Sequence, residues 1–145
     1  MTAHESPHRD DVSARGMAAA VDGVVRYIHE VCRTAVDGRR AARAIARWAG
    51  RSRLSEPDFQ LLWCLRPVSG DGIDQTTLAR ELALSPAQVS ATVERLRAGG
   101  WIEQRPALGD RRRNLWQLTS GGQRLLTRML HDAIAENPFR RKEAA

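Results

Sequence analysis

The sequence predicts a mainly α-helical chain with one small β-hairpin, an α+β architecture. Three observations carry this. Apolar residues recur at helical spacing over most of the stretch from Val21 to Ile134. Two short segments, Trp101 to Arg105 and Leu115 to Leu118, instead alternate apolar and polar residues on either side of a loop containing Gly109. Ser-x-x-Gln, Pro and Gly-Gly signals fall between the helical stretches, where caps and turns belong.

The 145 residues suffice for one domain with a modest core, and a hydrophobic fraction of 42% fits a folded chain. A net charge of +6 and a pI near 10.8 point toward a polyanionic partner. That signal is blunt, because every basic residue but Lys142 is Arg, a usage that genome composition also produces. Cys32 and Cys64 are too few for a disulfide scaffold and fit a reducing compartment. No apolar run reaches membrane-span length and no signal-peptide core follows the start, so a soluble cytoplasmic protein without a membrane partner is expected.

Taken in order, residues 1–15 are polar, carry Pro7 and lack any period, and read as a mobile tail; His4 and His8 belong to that tail rather than to a metal site. From Gly16 to about Val36, residues Val21, Val24, Val25, Ile28, Val31, Cys32, Ala35 and Val36 trace one face of a helix. This stripe is wide for one small domain. Either a second copy covers it in a homodimer, or it packs wholly on its own domain. Asp37-Gly38 interrupts or bends the helix, and Arg39–Ala49 forms a second piece, with Ile45 and Trp48 among its apolar residues and Arg39, Arg40, Arg43 and Arg47 among its polar ones. Arg51 and Arg53 follow. Together with Thr76 and Thr77 they are candidate phosphate contacts, the arginines equally a solvated or dimer-edge charge set.

Ser55 caps the next helix, with Pro57 in its first turn and Asp58 at the capping-box position; Phe59, Leu62, Trp63 and Leu65 should face the core, and Cys64 reads as a small buried hydrophobe. Pro67 to Gly72 form a turn, after which Ile73 can lie as a short strand beside the hairpin. Asp74 is an N-cap, with Ile73 and Leu78 placed as a hydrophobic staple; this helix should stop near Leu84, because Pro86 disfavours helical geometry at Ser85. Ser85 then caps a further helix, with Pro86 at its first position and Gln88 completing the capping box. Two helices joined by about three residues make a helix-turn-helix.

The second of these helices buries Val89, Val93 and Leu96. Ala87, Ala91, Glu94 and Ala98 lie opposite, flanked by Gln88, Ser90 and Arg95. Small residues on the outer face let a helix sit deep in a groove, where Gln88, Ser90 and Arg95 offer hydrogen bonds and alanine methyls can meet thymine methyls. An ordinary solvated face is the other reading, and the helix alone does not decide between them. Gly99-Gly100 ends it. The hairpin that follows carries Asp110, Arg111, Arg112 and Arg113 in its Pro106–Asn114 loop. Two short strands with a basic tip, placed directly after a helix-turn-helix, make a wing, and such a tip fits a narrow, electronegative minor groove.

The run from Leu78 to Leu126 resembles the winged-helix core of the MarR family. The marks are Leu78-Ala79, Leu84-Ser85-Pro86, Val89-Ser90, Leu96 with Gly100, Asp110-Arg111-Arg112, and Leu118-Thr119-x-x-Gly122-x-x-Leu125. The resemblance implies that Asp110 pairs with Arg112 and aims it at the minor groove, and that the Pro86–Arg95 face reads the major groove. It also implies a homodimer built from N- and C-terminal helices, and release from DNA by a small aromatic effector. Ser120 and Gln123 offer a capping box, with Thr119 as the other candidate cap, for a last helix carrying Leu125, Leu126, Met129, Leu130, Ala133 and Ile134 up to Asn137-Pro138. Only a short tail follows, where many relatives carry a longer helical pair, so dimerisation is expected to lean on Gly16–Ala49.

The expected organisation is a tail (1–15), an N-terminal helical dimerisation region (16–54), a winged helix-turn-helix DNA-binding core (55–119) and a C-terminal dimerisation helix with tail (120–145). The expected function is a sequence-specific DNA-binding transcriptional regulator, a repressor acting as a homodimer on a pseudo-palindromic operator. The recognition residues are Pro86, Ala87, Gln88, Ser90, Ala91 and Arg95, and the wing residues Asp110, Arg111, Arg112 and Arg113. Gln88 has a competing role in capping Ser85. A winged-helix protein-interaction module and a nonspecific architectural DNA binder are the alternatives. No cofactor, metal or catalytic residue is expected: phosphate-loop, nucleophile-elbow and zinc-protease motifs are absent, and His29 with Cys32 supplies too few ligands for a metal. Trp48, Trp63, Tyr27 and Phe59 could line an effector pocket, although an aromatic stripe on helices is more often core.

Overall fold

The computed structural model describes residues 9–66 and 71–136. The chain divides into two compact units, Met1–Ala41 and Ala42–Ala145. Helix α1, Arg9–Gly50, supplies the described part of the first unit and enters the second. It begins ahead of the predicted start, so residues 9–15 are helix rather than tail; residues 1–8, with His4 and His8, lie outside the described residues. Aspartates near a helix N-terminus suit its dipole, and Asp11 pairs with Arg15 at 3.0 Å one turn later. The helix also continues through Asp37-Gly38, contrary to expectation. An exposed glycine costs a helix only about 1 kcal/mol, too little to stop one already propagating, and Arg40 pairs with Asp37 across that point at 3.4 Å.

In the first unit the predicted apolar stripe exists and is bare. Val21 is 55% exposed, Val24 57%, Ile28 53% and Val31 49%.

The second unit adds α2 (Glu56–Cys64), α3 (Gln75–Leu82), α4 (Pro86–Ala98), an antiparallel hairpin of β1 (Ile102–Ala107) and β2 (Asp110–Leu118), and α5 (Ser120–Ala135). Ile73 forms a single bridge to Trp116, the short third strand expected from the sequence. Phe59, Leu61 and Leu62 of α2, Leu78 of α3, and Val89, Val93 and Leu96 of α4 join Ile102, Trp116 and Leu118 of the hairpin and Leu125, Leu126 and Met129 of α5 in one core. Burying such side chains contributes roughly 1.5–3 kcal/mol each.

The caps are as the residues dictate. Ser55 with Asp58 and Ser85 with Gln88 form complete capping boxes, and Asp74 caps α3. For α5 the cap is Thr119, which accepts from the Gly122 N–H, rather than Ser120 with Gln123. Thr119 fits because its hydroxyl also donates to the Gly100 carbonyl at 2.7 Å, tying the helix start to the end of α4. Gly122 is required there for space: a Cβ on it would lie 2.0 Å from the Trp101 carbonyl oxygen.

Three helices end in the same paired arrangement, in which the N–H that follows a left-handed residue bonds back to the carbonyl five residues earlier. The bonds run from Leu54 to Ala49 in α1, from Leu84 to Ala79 in α3, and from Trp101 to Leu96 in α4. The left-handed residue is Gly100 after α4, but Arg53 after α1 and Ala83 after α3. Helix α3 therefore stops at Leu82, two residues before the predicted end.

Two predicted core residues are not buried. Trp63 is 40% exposed and lies between Phe59, stacked at 6.5 Å between ring centroids, and the Arg66 guanidinium at 4.1 Å from its ring. Ile134, near the end of α5, is exposed. Cys64 is half-buried rather than fully covered, and desolvation pushes its thiol pKa up.

Candidate nucleic-acid interface

Helix α4 turns its Val89, Val93 and Leu96 face inward, leaving Pro86, Ala87, Gln88, Ser90 and Ala91 exposed together along its first turns. That outer surface is held from three sides. The Ser85 N–H donates to Gln88 Oε1 at 2.9 Å, so the capping role of Gln88 is realised. Gln75 Nε2, at the start of α3, donates to Ser90 Oγ at 2.6 Å. Arg95 Nη2 donates to Asp58 Oδ1 at 2.9 Å and to Thr92 Oγ1 at 3.2 Å.

The last contact gives Arg95 a bracing role as well: through Nη2 it ties α4 to α2, while its side chain stays 55% exposed. Asp58 is almost fully buried and uses its other oxygen to accept from the Ser55 N–H at 2.9 Å. A buried carboxylate requires such a charge partner.

The wing is longer than the sequence predicted, because the strands run on into the loop and only Leu108 and Gly109 form its tip. Gly109 takes φ 83°, the conformation that favours glycine. The register passes from Pro106 opposite Asn114 directly to Ala107 opposite Asp110. Arg111, Arg112 and Arg113 are thus extra residues on β2, bulged out of the ladder and exposed.

Their contacts differ. Asp110 Oδ1 accepts from the backbone N–H of Arg112 at 3.0 Å, so it shapes the backbone at Arg112 rather than gripping its guanidinium as the resemblance implied. Arg113 Nη2 donates to Asp74 Oδ2 at 2.5 Å, joining the wing to the cap of α3. That guanidinium, with the Thr77 N–H second, holds the Asp74 carboxyl down at about 2. Arg111 and Arg112 have no ion-pair partner among the described residues.

Of the other candidate phosphate contacts, Thr76 is exposed at the start of α3, while Thr77 is half-buried and its N–H is used by Asp74. Arg51 is committed to α5, at 2.8 Å from Asp132 and 3.8 Å from Glu136. Arg53 is exposed in the left-handed turn after α1.

Sequence reasoning missed Gln75 and the partners of Arg95 and Arg113. These pairs lie 15, 37 and 39 residues apart in the chain, and no local pattern marks them.

Trp48, Phe59 and Trp63 line a largely apolar hollow of about 460 Å³ together with Ile45, Cys64 and Leu130. Trp48 donates through Nε1 to Glu136 at 2.9 Å, and Tyr27 sits exposed on the α1 stripe. Among the described residues no group of three or more His, Cys, Asp or Glu side chains is placed to hold a metal ion, and no helix is long and apolar enough to cross a membrane.

Residues 54–113, from the end of α1 to the wing, match the family model described as MarR family. The HTH-type transcriptional regulator PecS of Dickeya dadantii is 26% identical over 107 residues, or 70% of this chain. The chain spans 64% of the length of PecS. CouR from Rhodococcus jostii, solved bound to p-coumaroyl-CoA, superposes with a TM-score of 0.62 at 23% identity, over 70% of each chain. A mutant MarR from E. coli complexed with operator DNA superposes with a TM-score of 0.55 at 22% identity, over 76% of this chain and 73% of that one. Family model and relative both fall on the helix-turn-helix and wing, and the solved structures share that fold, so residues 54–113 are similar to the MarR family.

Proposed function

We propose that the protein is a sequence-specific DNA-binding transcriptional regulator, a repressor that acts as a homodimer on a pseudo-palindromic operator. The observation that carries this is the pairing of a small, polar, exposed α4 face with a wing whose arginines are bulged outward. In this reading Pro86–Ala91 enters a major groove, Arg111 and Arg112 enter the adjacent minor groove, and Thr76 and Arg53 meet phosphates. Two α4 helices then read half-sites about one helical turn (~34 Å) apart.

The second copy is the occupant that fits the bare α1 stripe, because an exposed row of Val and Ile along a 42-residue helix is costly in water. In this reading the dimer is built on residues 16–54, with α5 contributing. The 460 Å³ hollow beside Trp48, Phe59 and Trp63 has the size and apolar lining for one small aromatic effector, and the solved CouR structure contains an aromatic acyl-CoA.

Binding to duplex DNA measured against salt concentration tests the reading. A steep fall is expected, since each neutralised phosphate adds about 0.9 to the logarithmic slope. Arg112→Ala should weaken binding on all sequences and reduce that slope by about one. A flat salt response would reject the DNA reading in favour of a protein-interaction module, and a steep response without sequence preference would leave an architectural binder.

A further inference from the structure

We propose that α1 pairs with the α1 of a second copy as an antiparallel two-stranded coiled coil, with the two-fold axis crossing at the level of Arg26. The inference rests on the homodimer reading above and deepens it by giving the contact a direction and a register.

The seam is continuous. From Ala14 to Gly38, small and apolar residues recur at alternating steps of three and four residues. That period of about 3.5 is the mark of a coiled-coil seam. The same steps continue through Ala42 to Ile45 and Ala49, which pack in the second unit's own core. Ahead of that point every residue from Asp11 to Ala41 is exposed. The occupant must be a helix as long and as regular as this seam, and a second copy of the chain supplies one.

The order of sizes along the seam sets the direction. About Arg26 the pattern is nearly palindromic: Val24 balances Ile28, Val21 balances Val31, Met17 balances Ala35 and Ala14 balances Gly38. Two antiparallel copies set each of these residues against its counterpart, so the branched side chains meet at the centre and Met17 lies over Ala35. Two parallel copies set each residue against itself, which crowds Met17 and leaves gaps at Ala35 and Gly38. A parallel pair also favours leucine at every second seam position, and α1 contains no leucine.

The flanks agree. Val25 and Tyr27 are bare on either side of the seam at the axis, where each meets its own counterpart in the antiparallel register. Farther out, the flank that holds Val25 carries Asp11 and Arg39. The antiparallel register brings Asp11 of one copy beside Arg39 of the other, twice by symmetry. A parallel pair keeps them about 42 Å apart along the axis. Arg26, Arg33 and Arg40 fall on the side away from the seam.

The experiment is pulsed dipolar spectroscopy on spin labels at those three outer positions. Each is introduced alone, as Arg26→Cys, Arg33→Cys or Arg40→Cys, in the full-length chain carrying Cys32→Ser and Cys64→Ser. The axial offset between the two labels should be near zero at the first, about 21 Å at the second and about 42 Å at the third. Equal distances at all three overturn the antiparallel pairing and leave the homodimer reading intact; distances that grow from a different starting offset overturn the register. Asp11→Arg should weaken self-association by about ten-fold, and adding Arg39→Asp should restore it. A double variant as weak as the single one counts against the register in the same way. A wild type that sediments as a monomer overturns the homodimer reading and this inference with it.

Discussion

Helices α1 and α4 carry equally regular apolar stripes and meet opposite fates. On α4, Val89 and Leu96 are fully buried; on α1, Val21 and Ile28 remain more than half exposed, at 55% and 53%. Periodicity states that a helix face wants covering. It does not state what covers it. For α4 the cover is its own unit, closed by α2, α3, the hairpin and α5. For α1 we assign it to a second copy of the chain.

The largest effect expected from testing this contrast comes from removing one apolar side chain from each stripe. Leu96→Ala should cost about 2–5 kcal/mol of stability by thermal or denaturant unfolding, since it leaves a cavity in a closed core. Ile28→Ala should leave that core transition unchanged and weaken self-association instead, as sedimentation would report. Loss of core stability in Ile28→Ala, with association unaltered, would place the cover of α1 within the chain.

Next in size is the strut that fixes α4 on α2. Asp58→Ala removes half of a capping box and strands the Arg95 contact, so a loss of about 1–3 kcal/mol is expected in the same unfolding measurement. An unchanged transition would mean that apolar burial alone holds α4.

Smaller, and of opposite sign, is Ala83→Gly. Ala83 sits at φ 51° between α3 and α4, where a Cβ is unfavourable, and glycine should raise stability by up to about 1 kcal/mol. Arg53→Gly, at φ 59° after α1, offers the matched case at the other helix end. A destabilised Ala83→Gly would indicate that the looser unfolded chain outweighs the relieved strain.

The smallest effect is on acid stability. Asp74 is lowered from 3.8 to about 2, chiefly by Arg113. A carboxylate depressed in the folded state contributes stability that is complete above its ordinary value and is lost as pH falls through the lowered one. The wing's tether to α3 should therefore weaken between 3.8 and about 2. Asp74→Asn should flatten the stability profile over that window; an unaltered profile would assign the acid response elsewhere.

Much of the fold was legible because it is written in neighbours. Ser55-x-x-Asp58, Ser85-x-x-Gln88 and Gly99-Gly100 mark helix ends within four residues of chain, and the alternation after Trp101 marks the hairpin. Where a local rule gave a wrong boundary, a stronger local term overrode it. Helical propagation carried α1 through Gly38, and the left-handed turn at Ala83 stopped α3 before Leu84. The recognition face was legible as a set of residues but not as a set of chemical groups. Gln88 and Ser90 are exposed as expected, yet which of their atoms face outward depends on Ser85 and Gln75.

The sequence by itself determined the helix starts, the apolar faces, the basic wing and the family resemblance of its core, because each depends on residues within a turn or two of one another. Only the tertiary structure decided which arginines are engaged. Arg95 is bound to Asp58, Arg113 to Asp74 and Arg51 to Asp132, while Arg111 and Arg112 stand outside any ion pair among the described residues. Five identical side chains acquire different roles because a charge is committed by whatever packing brings within about 3 Å of it, and that partner comes from another helix.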